Sequence, residues 1–259
     1  MKPGILFLWA LTSLAPWQLA LGQASPSHRD VYPTGASVSW GVGPVALRDE
    51  YISTQRYAGS LPSLTAEWAR FHQRNGFRVE MDLATSSDVR NYSVSTAVTE
   101  FALDLDFLYP SGSVSLGSRR VYLFLGPSAG VGVWVNDQQI ASQGMEVALS
   151  FASLFSLGVV GDVVLPVTSR LQALGSLRLA LFSAGIRMVD LMEDDEESPL
   201  KLLGPLSASR GVGSFGLRYR AVDWLSLGLG YEGRLLRLTP WDPLLSHRDH
   251  LTLSLTLGR

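Results

Sequence analysis

Near the end of the chain, His247, Asp249 and His250 bring imidazole and carboxylate together within four positions, the pairing that draws a proton from water or a hydroxyl in general-base catalysis. With Asp82 and Glu100 expected near the same rim, they outline a candidate hydrolytic site. No Gly-x-Ser-x-Gly elbow accompanies them, and histidines at the base of a loop are commonly just solvated, so an enzyme is not the favoured reading. A second set of groups is larger. Glu67, Glu80, Asp82, Glu100, Asp104 and Asp106, with Arg78 among them, fall on alternate positions of three consecutive segments. Arg120, Arg178, Arg218, Arg220 and Arg234 recur on later segments. Such groups either pair across a narrow interior and hold it shut, or line a charge-selective path. The carboxylate run Glu193 to Glu197 matches no calcium-loop spacing and reads as a solvated loop. With no cysteine in the chain and no helix expected after Gly126, Gly130 and Gly132, neither a metal nor a cofactor is expected.

The elements that must position these groups are strands. In Glu100 to Tyr109, Phe101, Leu103, Leu105, Phe107 and Tyr109 share one face, while Ala102, Asp104 and Asp106 share the other, because side chains alternate at period 2. Nearly every later segment repeats this pattern, and no helix or second sheet is in sight to cover so much apolar face. Lipid can cover it. The expected fold is therefore all-β, an antiparallel up-and-down transmembrane β-barrel of about ten strands with an apolar exterior and a polar lumen. Only 17% of residues are charged and 46% are hydrophobic, yet beyond residue 22 no apolar run nears the roughly 20 residues of a membrane-spanning helix. A net charge of −2 without a basic cluster excludes a nucleic-acid partner.

Lys2, the apolar run Ile5 to Leu21 and the small residues Ala20 and Gly22 read as a cleaved signal peptide over 1–22, leaving 23–259 as the barrel domain. The first strand alternates Val38, Trp40 and Val42 with Ser37, Ser39, Gly41 and Gly43, and small inward residues suit a narrow lumen. Long polar loops are expected at 48–60, 84–95, 136–144, 189–209 and 237–247, and short connections at 72–76, 110–118, 168–170 and 221–223. That alternation places both chain ends in the periplasm and the long loops outside. Aromatic girdles are expected from Trp68, Phe77, Phe107, Tyr109, Tyr219 and Trp224 on one side, and from Phe101, Trp134, Tyr231 and Trp241 on the other.

On the leader, the segment Asp49-Glu50-Tyr51-Ile52-Ser53 and the Leu-rich last strand, the chain resembles outer-membrane β-barrel proteins of Gram-negative bacteria, most closely small barrels of the Bacteroidota type. The resemblance implies a porin-like protein of the cell outer membrane, surrounded by membrane lipid and lipopolysaccharide and inserted by the barrel assembly machinery. It carries no catalytic motif. Leu257-Gly258-Arg259 departs from the terminal aromatic usual in barrel assembly signals. Three readings stay open: a structural or interaction barrel with a plugged lumen, a rim-located hydrolase acting on protein or lipid, and a narrow small-solute pore.

Overall fold

A computed structural model describes residues 31–258 apart from 51–52, 73, 92–94, 140–146, 190–199, 205–206 and 240–242. The strands are β1 (Gly35–Val42), β2 (Pro44–Asp49), β3 (Ser53–Ser60), β4 (Ser63–Phe71), β5 (Gly76–Arg90), β6 (Ser95–Leu116), β7 (Arg119–Gln139), β8 (Val147–Pro166), β9 (Leu171–Val189), β10 (Leu200–Leu203), β11 (Ala208–Val222), β12 (Leu225–Leu238) and β13 (Leu244–Leu257). All pairings are antiparallel. Strand β13 pairs with β12 on one side and with β1 and β2 on the other, which closes the sheet on itself. Two of the barrel's strands are interrupted, one between β1 and β2 at Gly43 and one between β3 and β4 at Leu61 and Pro62, and β10 is a short flap on β9. Counting each interrupted strand once and leaving out the flap, the thirteen segments make a ring of ten. The two breaks are tied together by the Leu61 amide, which donates to the Gly43 carbonyl at 3.1 Å. Only glycine fits at 43, because a Cβ there would lie 1.8 Å from the Asp249 carbonyl oxygen.

The outward face is a continuous apolar wall. Val38, Trp40, Leu64, Leu83, Leu125, Leu177, Leu217, Leu229, Leu253 and Leu255 all stand exposed on it. At the end of the short turns, Trp68, Phe77 and Phe107 form a belt across β4, β5 and β6, with ring centroids 6.1 and 5.1 Å apart, and Tyr109, Tyr219 and Trp224 stand exposed at that end. The expected girdle on the other side is only partly present. Tyr231 and Phe101 face outward, Trp241 lies outside the described residues, and Trp134 turns inward, where it is 2% exposed.

Two of the expected long loops are strand. The stretch 48–60 holds the end of β2 and all of β3, with Leu47 opposite Tyr57, and 84–95 holds the end of β5, which pairs with β6 up to Arg90 and Ser95. The reason is an inversion of faces. Toward this loop end the inward positions are apolar (Val45, Leu47, Tyr57, Val89, Val98), while Arg48, Arg56 and Arg90 point out. Here the barrel rises beyond hydrocarbon and takes the inside-out rule of a water-facing sheet, so its outward polar residues imitate a loop. The signal-peptide region and the carboxylate run lie outside the described residues.

Candidate functional site in the barrel lumen

The lumen is layered. At the short-turn end Val31 and Tyr32, from the segment preceding β1, pack with Phe71, Leu108, Tyr122, Phe124, Val160 and Val164 in an apolar cluster. Tyr32 stacks on Phe71 with centroids 4.0 Å apart. At the loop end a second cluster gathers Val45, Leu47, Tyr57, Leu61, Trp134, Leu154, Leu238 and Leu244. Between the two lies a network of ion pairs.

Its acidic wall stands on β5 and β6, and apart from Arg78 on β5 itself its arginines come from other strands. Arg178 on β9 is the hub: it grips both oxygens of Asp106 at 3.1 and 2.6 Å, Asp104 at 3.0 Å and Glu80 at 3.2 Å. Arg78 bridges Asp106 at 2.7 Å and Asp162 on β8 at 2.9 Å, and the Tyr32 hydroxyl donates to the same Asp162. Arg210 on β11 holds Asp104 at 2.6 Å. Arg234 on β12 reaches Glu80 at 2.8 Å, Asp82 at 3.4 Å and Glu232 at 2.6 Å, while Arg248 on β13 pairs with Asp82 and with Glu100 at 3.2 Å. Trp134 and Ser246 both donate to Glu100, at 3.1 and 2.8 Å. Nearer the loop end, Arg187 pairs with Asp49 across the barrel, both side chains wholly buried. Groups this dry are held in water's absence by each other, so taking away one partner costs several kcal/mol.

Of the residues singled out in the sequence, Arg78, Glu80, Asp82, Glu100, Asp104, Asp106, Arg178 and Arg234 meet in this network. Glu67 and Arg218 instead line a cavity beside it, and Arg220 lines the mouth at the short-turn end. Arg120 stands opposite Ser115 on the β6–β7 hairpin, below the network. Asp104 is held by Arg178 and Arg210, and not by Arg120, Arg218 or Arg220.

The histidine cluster is divided by the wall it sits on. His247 and Asp249 are partly exposed on the outward face, where the Tyr231 hydroxyl donates to Asp249 and His247 lies 3.5 Å from it. His250 points inward, 1% exposed, with its Nδ1 2.7 Å from the Ser63 hydroxyl. All three lie within β13 rather than at the base of a loop.

Several network members escape a sequence reading. Arg210 and Arg248 obey the same alternation as their neighbours but stand immediately after two expected loops, where the period has only just begun. Arg187 escapes for another reason: a bulge in β9 opposite Leu157 and Gly158 leaves Leu181 and Phe182 both outward and shifts the later residues to the other face. Tyr32 carries no periodic signal at all.

Tyr57 offers a test of the loop-end cluster. Its hydroxyl is buried and finds no hydrogen-bond partner among the described residues. Tyr57→Phe is therefore expected to leave the urea unfolding midpoint unchanged or raise it, with a change within about 0.5 kcal/mol or favourable.

A closed antiparallel ring with an apolar exterior, an aromatic belt and a polar interior defines a β-barrel of the outer-membrane type. No protein-family model matches the chain and no curated protein matches its sequence. Among solved structures, the outer membrane protease OmpT from Escherichia coli is 7% identical with a TM-score of 0.51, over 88% of this chain and 98% of that one. The translocator domain of the autotransporter NalP from Neisseria meningitidis is 14% identical with a TM-score of 0.43, over 90% of this chain and 91% of that one. An outer membrane channel from Pseudomonas putida F1 is 10% identical with a TM-score of 0.36, over 92% of this chain and 100% of that one. At 7% identity the likeness to the protease is one of fold.

Proposed function

We propose that this protein is an integral barrel of the bacterial outer membrane with a structural or interaction role, its lumen closed to through-passage and its partners met by the loops. One observation carries the reading: an ion-pair network spans the lumen and an apolar cluster lies toward each end. Ions crossing this interior would have to displace charge pairs that are already mutually satisfied. Export through a cleaved signal peptide over 1–22, insertion by the barrel assembly machinery, and contact with lipopolysaccharide belong to the same proposal, as does kinship with Bacteroidota barrels through the Asp49 to Ser53 segment.

Reconstituted in planar lipid bilayers, the purified chain is expected to give no steady conductance. Discrete, reproducible opening steps would replace this reading with the small-solute pore. The orientation is tested on intact cells, where added protease is expected to cut within 192–203 and to spare Arg74-Asn75-Gly76. Cleavage at that Asn-Gly turn in intact cells would turn the barrel over.

A further inference from the structure

Beside the ion network, toward the short-turn end, the lumen is not filled. The inward positions of β1, β12 and β13 there are all small: Ser37 and Ser39, Gly228 and Gly230, Thr252 and Ser254. What they leave is a cavity of about 200 Å³ whose lining includes the hydroxyls of Ser37, Ser39, Thr65, Ser176, Thr252 and Ser254. Two charged groups line it without joining the network. Among the described residues neither Glu67 nor Arg218 forms an ion pair or a hydrogen bond, and each acts on the other only through space. The carboxylates and guanidiniums of the ion network are matched to one another, whereas Glu67 and Arg218 face the cavity without such a partner. Arg218 also lines the small pocket next to Val31, Tyr32 and Pro33 at the short-turn mouth, together with Arg170 and Arg220. The cavity is thus approached from that mouth, past Arg218, and ends blindly at the ion network.

We infer that this cavity is a binding site for a small zwitterionic solute of the amino-acid class, its ammonium taken by Glu67 and its carboxylate by Arg218. The chemistry on both sides agrees. A carboxylate and a guanidinium facing one space accept one cation and one anion held on a single small molecule, and a guanidinium binds a carboxylate through two parallel hydrogen bonds. The ring of hydroxyls satisfies the remaining polar atoms of a solute that has lost its water. Because the site is a dead end, its occupant is held rather than passed on.

The test uses the full-length mature barrel in detergent, with L-serine as the probe and isothermal titration or equilibrium dialysis as the readout. Wild-type protein is expected to bind one L-serine, whereas ethanolamine, which lacks the carboxylate, and glycolate, which lacks the ammonium, should each bind at least about tenfold more weakly. Glu67→Gln and Arg218→Gln should each lose at least about tenfold in affinity for L-serine. Ser39→Leu keeps both charges but fills the cavity, and should abolish binding. Heat-modifiable gel migration shows in each case whether the barrel is folded, and Arg218→Lys, which keeps the charge without the fork, should retain part of the affinity should Arg218→Gln fail to fold. Absence of binding by the folded wild type, equal binding of the single-charge analogues, or unchanged binding in a folded Ser39→Leu variant would each overturn the proposal. The sealed-lumen reading is judged separately, by conductance, and stands or falls without it.

Discussion

Arg178→Ala should lower the stability of the barrel by about 3 to 5 kcal/mol, the largest loss expected from any single lumen substitution. Its guanidinium touches three carboxylates on β5 and β6, gripping Asp106 with two nitrogens and reaching Asp104 and Glu80 as well. Asp104 and Asp106 are 1% and 0% exposed. Without Arg178, Asp104 keeps Arg210 and Asp106 keeps Arg78, but the three acids then face one another with less positive charge between them. Replacing Asp106 by Asn in the same chain should recover part of the loss, because it removes the charge that Arg178 was there to meet. Urea unfolding from lipid vesicles, followed by tryptophan fluorescence across a double-mutant cycle, measures both effects. A loss below about 1 kcal/mol with no coupling to Asp106 would mean that lumen water screens these charges.

Leu103→Arg should cost about 2 to 4 kcal/mol in the same experiment. Leu103 lies opposite Met81 of β5 and Val131 of β7, on the outward face of the strand whose inward face carries Asp104. An arginine there must reach a membrane interface from the middle of the wall, and its guanidinium finds hydrocarbon where Asp104, one residue away, finds Arg178 and Arg210. The two positions differ only in which side of the sheet they occupy. If Leu103→Arg were harmless, the outward face would not be facing lipid.

The alternation that sorts these two residues is a property of any extended chain. For that reason the apolar wall, the strand directions and the acidic character of β5 and β6 are all legible in the sequence. So is the short-turn girdle, since Trp68, Phe77 and Phe107 obey the same period as the leucines beside them. Period 2 says which side a residue takes, but not how far along a strand the surroundings change. Hence Tyr57 and Val89 were passed over as loop: beyond the hydrocarbon the outside is water, the inside becomes the dry side, and the same alternation continues with its meaning reversed.

By itself, then, the sequence determined that this chain forms a ring of about ten amphipathic strands and that acids and arginines meet inside it, because burial against lipid on one face is written residue by residue. Which arginine meets which acid was decided only by the closed barrel. Arg178 reaches Asp106 because strand β9 lies across the lumen from β6, 72 residues away in sequence, and Arg187 turns inward only because a one-residue bulge precedes it. Tyr32 joins the apolar cluster at the short-turn end because the chain before β1 folds back under the ring. The cavity that leaves Glu67 and Arg218 unpaired likewise exists only where small residues from three adjoining strands fall at one height. Register, bulges and closure are relations between strands, and no single strand carries them.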